Sequence, residues 1–203
     1  MRCCGRLERF FLCLVLLCAV CTARAADIMV DSAQLVASDD GYSLSADFRV
    51  ALNPRLEDAV NKGVVLYFVA DFELTRSRWY WFDQEVVRRN KTFQLSYHAL
   101  TRQYRLASGA LHQNFPSLDA ALRVLSRLRY WQVIEKGEIS HDVEYAARTR
   151  LRLDPSQMAK MFQVSALSNR EWSQSSEWLA WTFSFPETAP PASPLVPAAE
   201  NAK

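Results

Sequence analysis

Hydrophobic and polar residues alternate over long stretches of this chain, and that period of two predicts strands. Tyr42, Leu44, Ala46, Phe48, Val50 and Leu52 fall on one face, with Ser43, Ser45, Asp47 and Arg49 opposite. Asp39-Asp40-Gly41 just before them is a tight-turn signal. Residues 28–37 therefore read as the partner strand of a hairpin, with a bulge where their alternation falters. Residues 64–74 give the strongest strand, with Val64, Leu66, Phe68, Ala70, Phe72 and Leu74 on one face. Its other face begins apolar (Val65, Tyr67, Val69) and turns acidic (Asp71, Glu73), which suits a central strand covered on both sides over its first half. Further strands are expected over 92–99, 103–107 and 110–115, with Ser108-Gly109 turning a hairpin. Residues 143–153 alternate strictly, with Val143, Tyr145, Ala147, Thr149, Leu151 and Leu153 inward and Glu144, Arg148, Arg150 and Arg152 outward. A last strand over 177–185 places Leu179, Trp181, Phe183 and Phe185 on one face.

The period changes over 117–130, where Leu118, Ala121, Leu122, Leu125 and Leu128 follow the i, i+3, i+4, i+7 spacing of an amphipathic helix. Ser117 can cap it, Asp119 suits its positive end, and Arg123, Arg127 and Arg129 fall in its later part. Pro54 to Lys62 predicts one or two helical turns stopped by Gly63, and Asp154-Pro155 offers a cap and first residue for a short helix over 155–162. About eight strands, one strong helix and no strand–helix–strand alternation predict a mainly β fold. The expected form is an antiparallel β-sandwich, immunoglobulin-like, with the helix near 117–130.

Composition changes the picture at both ends. Arg2, Arg6 and Arg9 precede an uninterrupted apolar run from Phe10 to Val20, and Ala23-Arg24-Ala25 fits a cleavage site. This pattern predicts a signal peptide over 1–25, and its apolar run is too short to span a ~30 Å hydrocarbon core. All five cysteines (Cys3, Cys4, Cys13, Cys18, Cys21) lie inside it, so the mature chain is expected to carry no disulfide, thiolate nucleophile or cysteine-bound metal. The residues before Cys18 and Cys21 do not suit a lipoprotein, and a soluble periplasmic product is the expectation. Cleavage would leave 20 basic against 21 acidic residues, a balance that gives no reason to expect nucleic acid as a partner. Residues 186–203 hold five prolines and no aromatic ring, and they read as a disordered tail behind a single domain over 26–185.

Candidate chemistry is sparse. The aromatic run Trp79-Tyr80-Trp81-Phe82 could stack on a sugar or an apolar peptide, or could fill the core, and core packing is the favoured reading. Trp172, Trp178 and Trp181 pose the same choice. Outward Arg148, Arg150 and Arg152, joined by Arg102 and Arg105, could form a basic face for anionic headgroups or an acidic partner; the plainer reading is a solvated face balanced by nearby acids. Asp71 and Glu73, neighbours on one strand face, would repel each other unless an arginine answers them. His98, His112 and His141 show no metal-ligand spacing, and no nucleophile elbow, P-loop or dinucleotide fingerprint occurs, so neither cofactor nor metal is expected.

Three stretches carry a resemblance. Leu66-Tyr67-Phe68-Val69-Ala70-Asp71-Phe72-Glu73-Leu74 with Arg78-Trp79-Tyr80-Trp81-Phe82, and the segment from Leu95 to Leu106 containing Leu100-Thr101-Arg102-Gln103-Tyr104-Arg105-Leu106, resemble domain-of-unknown-function family 4390. So does the closing Trp172, Trp178 and Trp181-Thr182-Phe183. These are exported proteobacterial proteins, often labelled "proline-rich signal peptide protein". Where relatives tend to carry prolines, this chain has Met158-Ala159-Lys160-Met161. The resemblance names no catalytic residue. It implies a gene neighbourhood shared with a membrane sensor histidine kinase of the nitrogen-regulation type, hence a membrane-protein partner in the periplasm. The leading expectation is a non-enzymatic periplasmic interaction domain. The alternative is a periplasmic sugar- or lipid-binding protein using Trp79–Phe82, and third comes a metal-free hydrolase using carboxylates.

Overall fold

The computed structural model describes residues 28–76, 83–140, 143–160, 162 and 172–185. In chain order these form β1 (Ile28–Ser38), β2 (Gly41–Val50), α1 (Pro54–Asn61), β3 (Leu66–Arg76), β4 (Gln84–His98), β5 (Gln103–Ser108) and β6 (Leu111–Phe115). There follow α2 (Leu118–Leu125), β7 (Arg127–Glu135), β8 (Glu144–Leu153), a 3-10 turn (Pro155–Gln157) and β9 (Leu179–Ser184). The strands make two antiparallel sheets, ordered β1-β2-β7 and β6-β5-β4-β3-β8-β9. First, second and seventh strands facing a sheet that runs β9-β8-β3-β4-β5 is the immunoglobulin-like order, and α2 stands in the chain where that fold carries a further strand.

The inward rows are those that the alternation marks. Phe68, Ala70, Phe72 and Leu74 of β3, Ala147, Leu151 and Leu153 of β8, and Leu44, Ala46 and Phe48 of β2 are buried together in one core. α1 adds Leu56 and Val60, and α2 adds Ala121, Leu122 and Leu125. Fully burying Phe68 and Phe72 is worth about 1.5–3 kcal/mol each. Thr149, the one polar member of the inward β8 row, donates its hydroxyl to the Asp71 carbonyl at 2.9 Å. At one end of the core Phe185 packs edge-on against Tyr42, Tyr145 and Phe183, with ring centroids 4.6–5.4 Å apart.

The first hairpin follows its sequence signals. Ser38 pairs Gly41 across Asp39-Asp40, and the expected bulge falls at Asp31, between the Val30 and Ser32 pairings. Gly41 has φ +135, and a Cβ there would lie 2.1 Å from the Ile134 carbonyl oxygen, so only glycine fits where β2 crosses β7. Asn53 caps α1 by accepting from the Leu56 N–H, and Ser117 caps α2 by accepting from the Ala120 N–H.

Three expectations are corrected. The helix expected near 117–130 ends at Leu125, and residues 127–135 form β7, so the described residues hold nine strands rather than about eight. Leu128 continues the helical spacing by chance of sequence, while β7's own alternation is broken by two bulges. Arg129 and Tyr130 together oppose Ser45, and Val133 is extra between the partners of Ser43 and Tyr42. β4 begins at Gln84 rather than Thr92, because its early inward row holds Arg89 and Lys91, and Arg89 reaches Glu138 at 2.6 Å. The segment 155–162 starts as a single 3-10 turn capped by Asp154 and is interrupted at Met158, whose backbone is extended and whose side chain is buried, before Lys160 and Phe162 are helical again.

Candidate functional site

The outward rows of the six-stranded sheet bring together a connected cluster of ion pairs among the described residues. In register, Arg148 of β8 lies opposite Glu73 of β3, and Arg150 lies opposite Asp71. Directly opposed side chains on one face of an antiparallel pair meet at close range, so opposite charges there attract. Arg148 donates from Nε to Glu73 Oε2 at 2.7 Å, and from the other flank Arg88 of β4 approaches Glu73 Oε1 at 3.3 Å. Arg150 and Arg152 both donate from Nε to the same oxygen of Asp71, Oδ2, at 2.9 Å. Arg152 also lies 3.7 Å from Asp154 Oδ1. The repulsion expected between Asp71 and Glu73 is answered by arginines on both flanking strands.

Burial grades across the cluster. The Glu73 side chain is only 6% exposed and Asp71 15%, whereas Arg150 and Arg152 are each 31% exposed and Arg148 45%. The carboxylates are thus the desolvated partners, and the guanidinium groups cap them toward solvent. A desolvated carboxylate persists only when charge-assisted hydrogen bonds satisfy it. Burial alone would raise the Asp154 carboxyl, but hydrogen bonds from Gln157 and Ser156 and the charge of Arg152 hold it below its ordinary value.

Trp178 completes the cluster. The guanidinium carbons of Arg148 and Arg150 lie 4.7 Å and 4.4 Å from its ring centroid, so the indole stacks on two arginines two residues apart. The chain reaches this position because residues 174–176 run back along the end of β8 before β9 begins. Leu153 N–H donates to Gln174 O at 2.8 Å, Ser176 N–H to Leu151 O at 2.9 Å, and Ser175 bridges Arg152. Of the other tryptophans in its group, Trp172 is buried against Phe162, and Trp181 is half-buried on the inward row of β9. One late tryptophan is therefore core, one flanks the core, and one belongs to the polar face.

The other expected site residues separate. Arg105 shares this outer face, since it pairs with Ser96 of β4, but β3 and β4 lie between it and β8, about 14 Å at ordinary strand spacing. Arg102 sits in the β4–β5 turn with φ +53. Neither joins Arg148, Arg150 and Arg152. Trp79, Tyr80, Trp81 and Phe82 lie outside the described residues, as does His141; His98 and His112 are exposed. Among the described residues no group of three or more His, Cys, Asp or Glu side chains is placed to hold a metal, and no helix is long and apolar enough to cross a membrane. Sequence reading missed the role of Trp178, because neither alternation nor helical spacing links it to β8.

The fold and its ordered outer face define a β-sandwich domain with an immunoglobulin-like strand order. The family described as "Domain of unknown function (DUF4390)" matches residues 25–182, and the chain belongs to that family. Neither the curated proteins nor the solved structures give a match.

Proposed function

We propose that this chain is an exported, non-enzymatic interaction domain of the periplasm that binds a protein partner through the outer face of its six-stranded sheet. The observation that carries this reading is the Arg148–Trp178–Arg150 stack, held in place by Glu73 and Asp71. Tryptophan and arginine are the residue types most enriched at binding hot spots. Here they are fixed before any partner arrives, which lowers the ordering cost of association. The shared carboxylate oxygen of Asp71 takes only the Nε of Arg150, and within the described residues the terminal nitrogens of Arg150 have no hydrogen-bond partner. Those donors suit a carboxylate of an acidic partner segment.

Periplasmic location rests on the export pattern of residues 1–25, and the envelope partner on the gene neighbourhood that the family resemblance implies. The test is photo-crosslinking in cells, with the reactive residue at Asn90 or Ala180 on the outer face and at Glu57 of α1 as control. Asn90 and Ala180 are expected to capture one discrete envelope protein, and Arg150→Glu with Arg152→Glu should abolish the capture. Equal capture from Glu57, or capture that survives the double charge reversal, would overturn the reading. Intact-mass measurement of the periplasmic product should show an N-terminus at Ala26.

A further inference from the structure

The three-stranded sheet has an outer face of a different character. Its central strand β2 contributes only short side chains there, Ser43 and Ser45, before Asp47. Ser43 and Ser45 are 5% and 8% exposed although they point away from the core. The neighbouring strands explain this, because longer side chains stand above them: Gln34 opposite Ser45 on β1, and Gln132 opposite Ser43 on β7. The result is an open trough of about 470 Å³ over Ser45, whose lining includes Gln34, Asp47, Arg129 and Tyr130. That volume falls in the ~300–1,000 Å³ range of small-ligand sites.

Tyr130 is the feature that the fold does not require. It occupies the β7 bulge with φ +50, a conformation rarely taken by bulky residues. Glycine or asparagine would fill the same bulge with less strain. Core packing does not compensate, because Tyr130 is 77% exposed. Bulges re-aim side chains, and strain held at an exposed position points to a role for the side chain itself. Here the bulge sets a phenol at the rim of the trough.

The polar groups around it are held in place. Arg129 donates to the Ala46 and Leu128 carbonyls at 2.9 Å and 3.0 Å and to Asp47 Oδ1, and the Ser32 hydroxyl donates to Asp47 Oδ2 at 3.2 Å. Asp47 and Arg129 neutralise each other, and Arg127, opposite Asp47 in register, is not among the residues that line the trough. The trough offers a carboxylate, a guanidinium, an amide and hydroxyls beside one aromatic ring. From this arrangement we infer that the outer face of the three-stranded sheet is a binding site for a neutral saccharide. Sugar hydroxyls would exchange hydrogen bonds with Asp47, Arg129 and Gln34, and the C–H face of a pyranose would lie on the Tyr130 ring. The hydrogen bond from Arg129 holds the Asp47 carboxyl below its ordinary value.

The inference is independent of the six-stranded face and is tested separately. The protein is titrated with chitotriose, maltotriose and cellotriose, each to about 10 mM, where even millimolar affinity is visible. NMR shifts of the Ser45 and Tyr130 amides, both at the trough, are read together with the melting temperature. At least one saccharide should give saturable shifts. Tyr130→Phe should keep them, and Tyr130→Gly should weaken binding about tenfold or more while the melting temperature stays level or rises, because glycine relieves the strain. No saturable shift with any of the three, or binding that survives Tyr130→Gly, would overturn the inference.

Discussion

Glu73 and Arg148 share hydrogen bonds but not burial, and that inequality sets what each substitution should do. Glu73 is 6% exposed and Arg148 45%. Arg148→Met keeps the aliphatic stem and removes the guanidinium, leaving a desolvated carboxylate whose one remaining ion-pair partner among the described residues is Arg88, at 3.3 Å. Breaking a fully buried pair in this way costs about 3–5 kcal/mol, and the remaining Arg88 lowers the expectation to about 2–4 kcal/mol. Glu73→Gln is different. It keeps one acceptor oxygen, and both arginines are exposed enough to turn to water, so the expected loss is about 1 kcal/mol. At about 2–4 °C per kcal/mol for a domain of this size, the melting temperature should fall by roughly 4–16 °C for Arg148→Met and about 3 °C for Glu73→Gln. The double variant should be more stable than Arg148→Met alone, since it removes the uncompensated charge. Urea denaturation at neutral pH, with calorimetry, measures all three. Equal losses from the two single variants, or a double variant less stable than Arg148→Met, would refute the reasoning.

Gly41→Ala should abolish soluble folded protein or cost more than about 4 kcal/mol, because its Cβ would meet the Ile134 carbonyl at 2.1 Å. Gly109→Ala, with φ +59 and open space around it, should cost only about 1 kcal/mol, and parallel denaturation curves decide the comparison. Ser117→Ala removes the acceptor of the Ala120 N–H and should cost about 1 kcal/mol by the same measurement. Asp47 titrates below its ordinary value in the folded state, chiefly through the hydrogen bond from Arg129. Its contribution is therefore complete above about pH 4 and is lost as the pH falls through the lower folded value. Asp47→Asn should make acid unfolding below about pH 4 less steep, with less than about 1 kcal/mol lost at pH 7, as acid titrations of both proteins would show.

How much of this protein is legible in its sequence depends on the regularity of each strand. β8 reads directly, since its pairing with β3 runs without a shift from Phe68↔Leu153 to Thr75↔Ala146 and its inward and outward rows never exchange. The β1–β2 hairpin, its bulge and both helix caps read as well, because turn and cap chemistry is local. β7 does not, since two bulges interrupt its alternation while Leu128 imitates the next turn of α2. The first half of β4 is hidden because Arg89 and Lys91 occupy its inward row, where Glu138 from the loop after β7 answers Arg89 and the Phe93 ring lies under Lys91. The two candidate surfaces divide in the same way. Alternation alone predicts that Arg148, Arg150 and Arg152 share a face and that Asp71 and Glu73 share one. That these faces adjoin, and that Trp178 closes over them, follows from strand order and from the return of residues 174–176 along β8. Ser43 and Ser45 look in sequence like any solvent-facing pair, yet both are buried, and the β7 bulge opposite Ser45 sets Tyr130 at the rim of a trough over it. Local preference determines the strands and caps of this chain. Pairing between distant segments, which no local pattern encodes, decides which side chains meet.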